Sequence, residues 1–205
     1  MDKIVKMEEL KTNRRGELVY ELDTLPEEVT RLILPEGVVE IMTERRFNMG
    51  IVYPANSGLS EVVLPSTLKK IGDSTFLYFA GLKTVSGLRY VEKIGDSTFL
   101  GSGLTGEVTF GKGLKQLGVC SFCGCANITR LDFNESEVET IPVQCFDGCE
   151  NLEVVTGMGN IRALGRYAFA NCESLKELQG LKKLVKVGEK CFESCFELKE
   201  IKVGV

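Results

Sequence analysis

Two stretches of this chain, Lys70 to Leu77 and Lys93 to Leu100, carry the same residues, Lys-Ile-Gly-Asp-Ser-Thr-Phe-Leu, 23 positions apart. Following the phenylalanine along the chain gives Phe76, Phe99, Phe122, Phe146, Phe169 and Phe192, at steps of 23, 23, 24, 23 and 23. Phe47 precedes them by 29 and marks an irregular first unit. Other columns keep the period. Five residues before each Phe stand Ile71, Ile94, Leu117, Ile141, Leu164 and Val187. Eight before stand Leu68, Val91, Leu114, Val138, Ile161 and Leu184. Six after stand Leu82, Ile128, Leu152, Leu175 and Leu198, with Leu104 one place early in the Phe99 unit. Nine after stand Val85, Val108, Leu131, Val155, Leu178 and Ile201. A unit of this length cannot bury an apolar face alone, whereas stacked units put equivalent residues on top of one another and bury a continuous core. The period therefore predicts a solenoid of about seven units, with parallel strands and little regular helix.

Within a unit, the residues around the plus-nine column alternate between apolar and polar, as strands do; Arg130-Leu131-Asp132-Phe133 shows it well. Each such strand is expected to pair in parallel with its neighbours and build one curved sheet. After the minus-five column comes Gly72, Gly95, Gly118, Pro142, Gly165 or Gly188, read as permitting a tight turn. The Phe is then expected to head a short turn of 3₁₀ type that fills the centre of the coil.

The pattern apolar-x-x-Ile-Gly-x-x-x-Phe-x-x-Cys-x-x-Leu-x-x-Val, clearest from Val187 to Leu198, resembles the BspA-like (Treponema-type) class of leucine-rich repeats. Leu34-Pro35 and Leu64-Pro65 at strand ends are also typical of that class. The resemblance covers about residues 28–203. It implies a right-handed leucine-rich-repeat horseshoe. It is specific for fold and unspecific for function, because such scaffolds serve many partners; proteins of the class are often cell-surface adhesins or host-binding proteins.

Residues 1–27 do not fit the repeat and read as an N-terminal cap, with a strand at Glu17–Leu22; residues 28–205 read as the solenoid. Asn48 to Ser60, with Pro54-Ala55-Asn56-Ser57-Gly58, reads as an inserted loop. Lys199 to Val205 reads as a last strand with an open edge, through which the chain could associate with itself.

The chain has 205 residues and no histidine, which excludes Ser-His-Asp triads, Cys-His dyads and His-ligated metals. A net charge of −4 gives no electrostatic footprint for nucleic acid. No apolar run reaches the roughly 18 residues of a membrane span. Met1 to Glu9 lacks the apolar region of a secretory signal, so the chain reads as cytoplasmic; cell-surface or secreted is the alternative should a leader be missing. Eight cysteines suggest metal until they are placed on the repeat. Cys125, Cys149, Cys172 and Cys195 fall three after the Phe, Cys145 and Cys191 one before it, in columns that otherwise hold mostly small residues. They read as small buried residues with reduced thiols. Cys120-x-x-Cys123-x-Cys125 is the rival zinc reading, and lacks a fourth ligand at the usual spacing. Gly157-Met158-Gly159 and Gly101-Ser102-Gly103 read as turns, and Asp73 and Asp96 as turn residues. No nucleophile–base pair can be named, so no enzyme activity, cofactor or metal is expected.

What remains is binding. Side chains flanking the plus-nine column point outward and line an extended surface. The candidate partner-binding residues are Glu61, Val63, Thr84, Ser86, Glu107 and Thr109, followed by Arg130, Asp132, Thr156, Glu177, Gln179, Glu200 and Lys202. Glu61, Glu107, Glu177 and Glu200 make one column acidic-leaning, while Lys69, Lys70, Lys93, Lys115, Arg162 and Lys186 make the opposite segments basic-leaning. The sequence thus points to a non-catalytic scaffold that recognises a partner protein through its sheet face, preferring basic or polar peptides. A surface adhesin is the second reading, and a zinc- or redox-linked protein the third.

Overall fold

The structure, a computed structural model, describes residues 1–26, 28–43, 58–134, 136–201 and 203. The strands come in chain order. In the first half they are β1 (Asp2–Ile4), β2 (Lys11–Thr12), β3 (Leu18–Glu21), β4 (Arg31–Ile33), β5 (Val38–Met42), β6 (Glu61–Val63), β7 (Lys70–Ile71), β8 (Thr84–Ser86) and β9 (Lys93–Ile94). In the second half they are β10 (Gly106–Thr109), β11 (Ile128–Asp132), β12 (Thr140–Ile141), β13 (Val154–Thr156), β14 (Ala163–Leu164), β15 (Glu177–Leu178) and β16 (Lys186–Val187). The plus-nine strands pair in parallel as β1-β4-β6-β8 and as β10-β11-β13-β15. The expectation of one curved sheet needs correction on two points. That sheet is interrupted between β8 and β10, and a second ladder, β2-β3-β5-β7-β9 and β12-β14-β16, joins the strand expected at Glu17–Leu22 to segments read as mere connections. Residues 1–26 supply β1, which pairs with β4, and the antiparallel β2–β3, of which β3 pairs with β5. Lys199, Glu200 and Ile201 form no strand, unlike the reading of a final strand there. Residues 48–57 of the inserted loop, and Lys202, lie outside the described residues.

One contiguous apolar core runs the length of the solenoid. Its axis is the Phe column. Successive rings of Phe76, Phe99, Phe122, Phe146, Phe169 and Phe192 stack at 5.3, 5.0, 5.5, 5.3 and 5.9 Å. These separations suit stacked aromatic pairs. The Phe heads a short turn, as expected, with Leu77 and Phe79 N–H donating to the Ser74 and Phe76 carbonyls at 3.3 Å each, but not a regular 3₁₀ one; among the described residues 3₁₀ turns lie at Met7–Glu9, Leu22–Thr24 and Leu88–Tyr90. From the Phe76 coil to the Phe169 coil, alternate backbone N–H groups around the Phe point along the solenoid axis instead. Ser74, Phe76 and Tyr78 donate to the carbonyls of Asp96, Thr98 and Leu100 in the next coil at 2.8, 2.8 and 2.7 Å. Coupling to the next coil takes the N–H groups that a 3₁₀ turn would use internally. The alternation places left-handed residues two before and two after the Phe, as at Cys120 (φ 54°) and Gly124 (φ 70°).

The glycines after the minus-five column open the tight turn anticipated, with the carbonyls of Gly118, Gly165 and Gly188 accepting from the N–H groups of Ser121, Ala168 and Cys191 at 3.3, 3.2 and 3.3 Å, but the turn is not what calls for glycine. Their φ angles are not left-handed, and what they permit is close approach between coils. A Cβ on Gly118 would sit 2.3 Å from the Asp96 nitrogen and 2.3 Å from the Gly95 carbonyl carbon. A Cβ on Gly188 would meet the Arg166 nitrogen at 2.4 Å.

The cysteines complete the inner wall. Cys125, Cys149, Cys172 and Cys195 donate their S–H to the carbonyls of Phe99, Phe122, Phe146 and Phe169 in the preceding coil, at 3.1, 3.4, 3.1 and 3.0 Å. Burial pushes the Cys125 thiol up to about 12 and those of Cys149 and Cys172 well above the ordinary range, which keeps the donating proton in place. All eight cysteines are free thiols. Among the described residues no three Cys, Asp or Glu side chains gather as a metal site.

In the opposite segments, read as basic-leaning, the column beginning at Lys70 stacks that lysine on Lys93, whereas the column before it alternates in charge. One column runs Lys69, Glu92, Lys115, Glu139, Arg162. Ion pairs join Lys69 to Glu92 at 3.5 Å, Glu92 to Lys115 at 3.1 Å and Glu139 to Arg162 at 3.5 Å. Lys115, then Lys69, holds the Glu92 carboxyl below its usual range. The substitution Glu92→Lys is expected to lower Tm in dilute buffer and to lose most of that effect in molar salt, as thermal unfolding at both ionic strengths would show.

Candidate functional site: the sheet face and its interruption

Parallel pairing stacks the outward residues of the first sheet into two columns. One is Asp2, Arg31, Glu61 and Thr84; the other is Ile4, Ile33, Val63 and Ser86. The first column is not simply acidic. Arg31 Nε lies 2.9 Å from Glu61 and its Nη1 3.4 Å from Asp2, and Glu61, then Asp2, raises the arginine's pKa. In the second sheet Glu107 lies 3.8 Å from Arg130. Two of the four glutamates that seemed to define an acidic column are therefore balanced by arginines of neighbouring strands. The other column begins as an aliphatic stripe, with Ile4 well exposed and Ile33 and Val63 half-buried.

The interruption between β8 and β10 opens a cleft of 480 Å³. It follows from the slip at Leu104. There the backbone contact between coils is made by Thr105 N–H to the Lys83 carbonyl, 3.1 Å, and β8 and β10 then run on without pairing. Val85 on the floor shows the effect. The central residues of β4, β6, β10, β11, β13 and β15 are buried, while Val85 is only half-buried. Leu104 and Val108 complete the apolar floor. Thr84 and Ser86 line one bank, Thr105, Glu107 and Thr109 the other. Lys83 and Arg89 bring two cations to the lining, against one carboxylate, Glu107, which already faces Arg130 and accepts from Thr109 Oγ1 at 3.2 Å.

The structure thus gathers four of the expected residues, Thr84, Ser86, Glu107 and Thr109, around one opening. Lys83, Arg89 and Thr105 were not expected there; the early Leu104 was the sequence signal for them. Glu177 and Glu200 line a second cleft of 390 Å³ with Lys176 and Lys199. Gln179 is exposed, while Arg130 and Asp132 are half-buried. Thr156 corrects the expectation: it is buried, 9% exposed, with its hydroxyl donating to Asp132 Oδ1 at 3.1 Å. Directly after it Gly157, left-handed at φ 72°, brings its backbone so close to Asn134 that a Cβ there would sit 2.3 Å from the Asn134 nitrogen. No helix among the described residues is long and apolar enough to cross a membrane.

Comparison with known proteins follows the same lines. Over 97% of its length the chain superposes on 92% of a leucine-rich-repeat protein from Treponema pallidum, with a TM-score of 0.81 at 22% identity. A leucine-rich-repeat protein from Bacteroides ovatus matches at TM-score 0.70 and 18% identity, over 100% of this chain and 63% of that one. A leucine rich cell surface protein from Faecalibacterium prausnitzii matches at 0.55 and 18%, over 95% of this chain and 52% of that one. No curated protein matches in sequence. Residues 52–172, more than half of the 205, match the model described as a BspA type leucine rich repeat region in 6 copies. With the stacked coils and their columns in view, the chain belongs to the BspA type leucine-rich-repeat family.

Proposed function

We propose that the chain is a non-catalytic scaffold that binds a partner protein through the sheet face, with the cleft between β8 and β10 as the central contact. The observation that supports this is the interruption itself. It leaves β8 and β10 unpaired with each other and Val85 half-buried beside two cations, in a sheet whose strands otherwise pair from β1 to β8 and from β10 to β15. Such a site suits a segment that sets an apolar side chain on Val85 and Val108 and a carboxylate near Lys83 and Arg89. This differs from the preference for basic peptides suggested by counting glutamates in sequence. A second reading puts the same scaffold at the cell surface, as the Faecalibacterium neighbour's description has it for that protein; fractionation of the source cells distinguishes the two locations.

The test is capture from the source organism's extract by the wild type, beside the double variant Ser86→Arg/Thr109→Arg. Both positions are exposed, so the variant should keep the wild-type unfolding curve. The partner's affinity is expected to fall about tenfold or more in the variant. Equal binding by both proteins would remove the cleft from the interface.

A further inference from the structure

Two of the eight cysteines stand apart from the buried thiol column. Cys120 and Cys123 occupy the positions two before and one after Phe122, and both are half-buried at the surface of the turn. The Cys123 N–H donates to the Cys120 carbonyl at 3.2 Å, closing a four-residue turn. Such a turn keeps its end Cα atoms within about 7 Å. A disulfide spans about 4.4–6.8 Å between Cα atoms.

Other coils show that side chains at these two positions meet. In the Phe146 coil Gln144 Nε2 donates to Asp147 Oδ2 at 3.1 Å. In the Phe192 coil Lys190 pairs with Glu193 at 2.9 Å. In the Phe122 coil the two side chains are thiols, and the Cys120 thiol donates weakly to Gln144 Oε1 of the next coil at 3.9 Å. The remaining cysteines are differently placed. Cys125, Cys149, Cys172 and Cys195 donate to carbonyls of the preceding coil, Cys145 lies 3.2 Å from the Ser121 hydroxyl, and Cys191 is buried.

We propose that Cys120 and Cys123 form a dithiol site that small-molecule disulfides convert reversibly into an internal disulfide. One thiol loses its proton and attacks a sulfur of oxidised glutathione, giving a mixed disulfide and one glutathione thiolate. The second thiol loses its proton, attacks the protein sulfur of the mixed disulfide and expels the second thiolate. The two protons end on the two glutathione thiolates. The protein pair is oxidised and one glutathione disulfide is reduced to two thiols. Excess reduced glutathione or another dithiol runs the sequence backwards. Burial, then Asp147, raises both thiols, Cys123 to about 12. Thiolate is therefore scarce at neutral pH, and the reaction accelerates as pH rises from 7 to 9.

The experiment treats the reduced full chain with oxidised glutathione, blocks remaining thiols under denaturing conditions and maps peptides by mass spectrometry. One internal disulfide joining Cys120 to Cys123 is expected, with the other six cysteines blocked. Cys120→Ser and Cys123→Ala place in each slot a residue that other coils carry there, Ser74 and Ser97 or Ala170, so both should fold. Each should retain one glutathione on its remaining thiol and form no internal bridge. The proposal is overturned if the wild type keeps eight blockable thiols, if it stops at glutathione adducts on Cys120 or Cys123, or if the bridge joins another pair.

Discussion

Phe122→Ala is expected to cost about 4 kcal/mol of stability, near the middle of the range for truncating a buried phenylalanine. The ring has no exposed surface. It stacks on Phe99 at 5.0 Å and Phe146 at 5.5 Å and takes Phe110 edge-on at 5.7 Å. Its loss opens a cavity midway along the column, with backbone on all sides held in place by hydrogen bonds between coils. Because stability in a solenoid is close to a sum of coil and interface contributions, the weakened centre should also loosen the coupling between the two halves. Urea unfolding would show this as a lower midpoint with a broader transition. Phe196→Ala supplies the control: that ring is 74% exposed, and its removal should shift stability by less than about 0.5 kcal/mol. Equal costs at the two positions would refute the stacked-column account.

The second large effect is expected at a residue with no side chain. Gly118→Ala should cost about 3 kcal/mol, at the upper end of ordinary overpacking, because the new methyl meets backbone that cannot rotate away. Relief would require the Phe99 and Phe122 coils to separate, which lengthens the ladder of hydrogen bonds and the ring stack together. Gly113→Ala, five residues earlier, is the contrast. Nothing lies within 4 Å of its would-be Cβ and its φ is not left-handed. That substitution should be neutral or stabilise by about 0.4–1 kcal/mol through the unfolded chain. Thermal unfolding of both variants decides whether the glycine column reflects close contact between coils or simple chain flexibility.

The coil, its core columns and the thiol column were legible because each depends on one residue type recurring at one spacing. The second strand ladder was legible only at β3. Apart from β3 and β5 its members, such as Lys70–Ile71 and Lys93–Ile94, are two residues long, too short for an alternating pattern to emerge. The glycines were legible as turn positions, and the turn is there, but the close contact between coils that calls for glycine appears only once the coils are stacked. The site was half legible. Outward positions followed from strand alternation, but Thr156 is buried with its hydroxyl on Asp132 of the neighbouring strand, and the charges paired across coils rather than along the chain. Leu104, one place out of register, was visible as an irregularity; that it opens the sheet depends on how β8 and β10 fail to meet in space.

The alternating charges have a consequence for how the chain finds its own order. The Phe rings look alike from coil to coil, and Lys70 to Leu77 repeats Lys93 to Leu100 residue for residue. Ring stacking and hydrogen bonding would therefore accept a misfolded stack in which one coil is looped out. The charged column would not. Skipping the Glu92 coil sets Lys69 beside Lys115, and skipping the Lys115 coil sets Glu92 beside Glu139, so like charges meet where opposite charges belong. From Lys69 to Arg162 a repetitive core thus carries on its surface a charge pattern that disfavours leaving out a single coil.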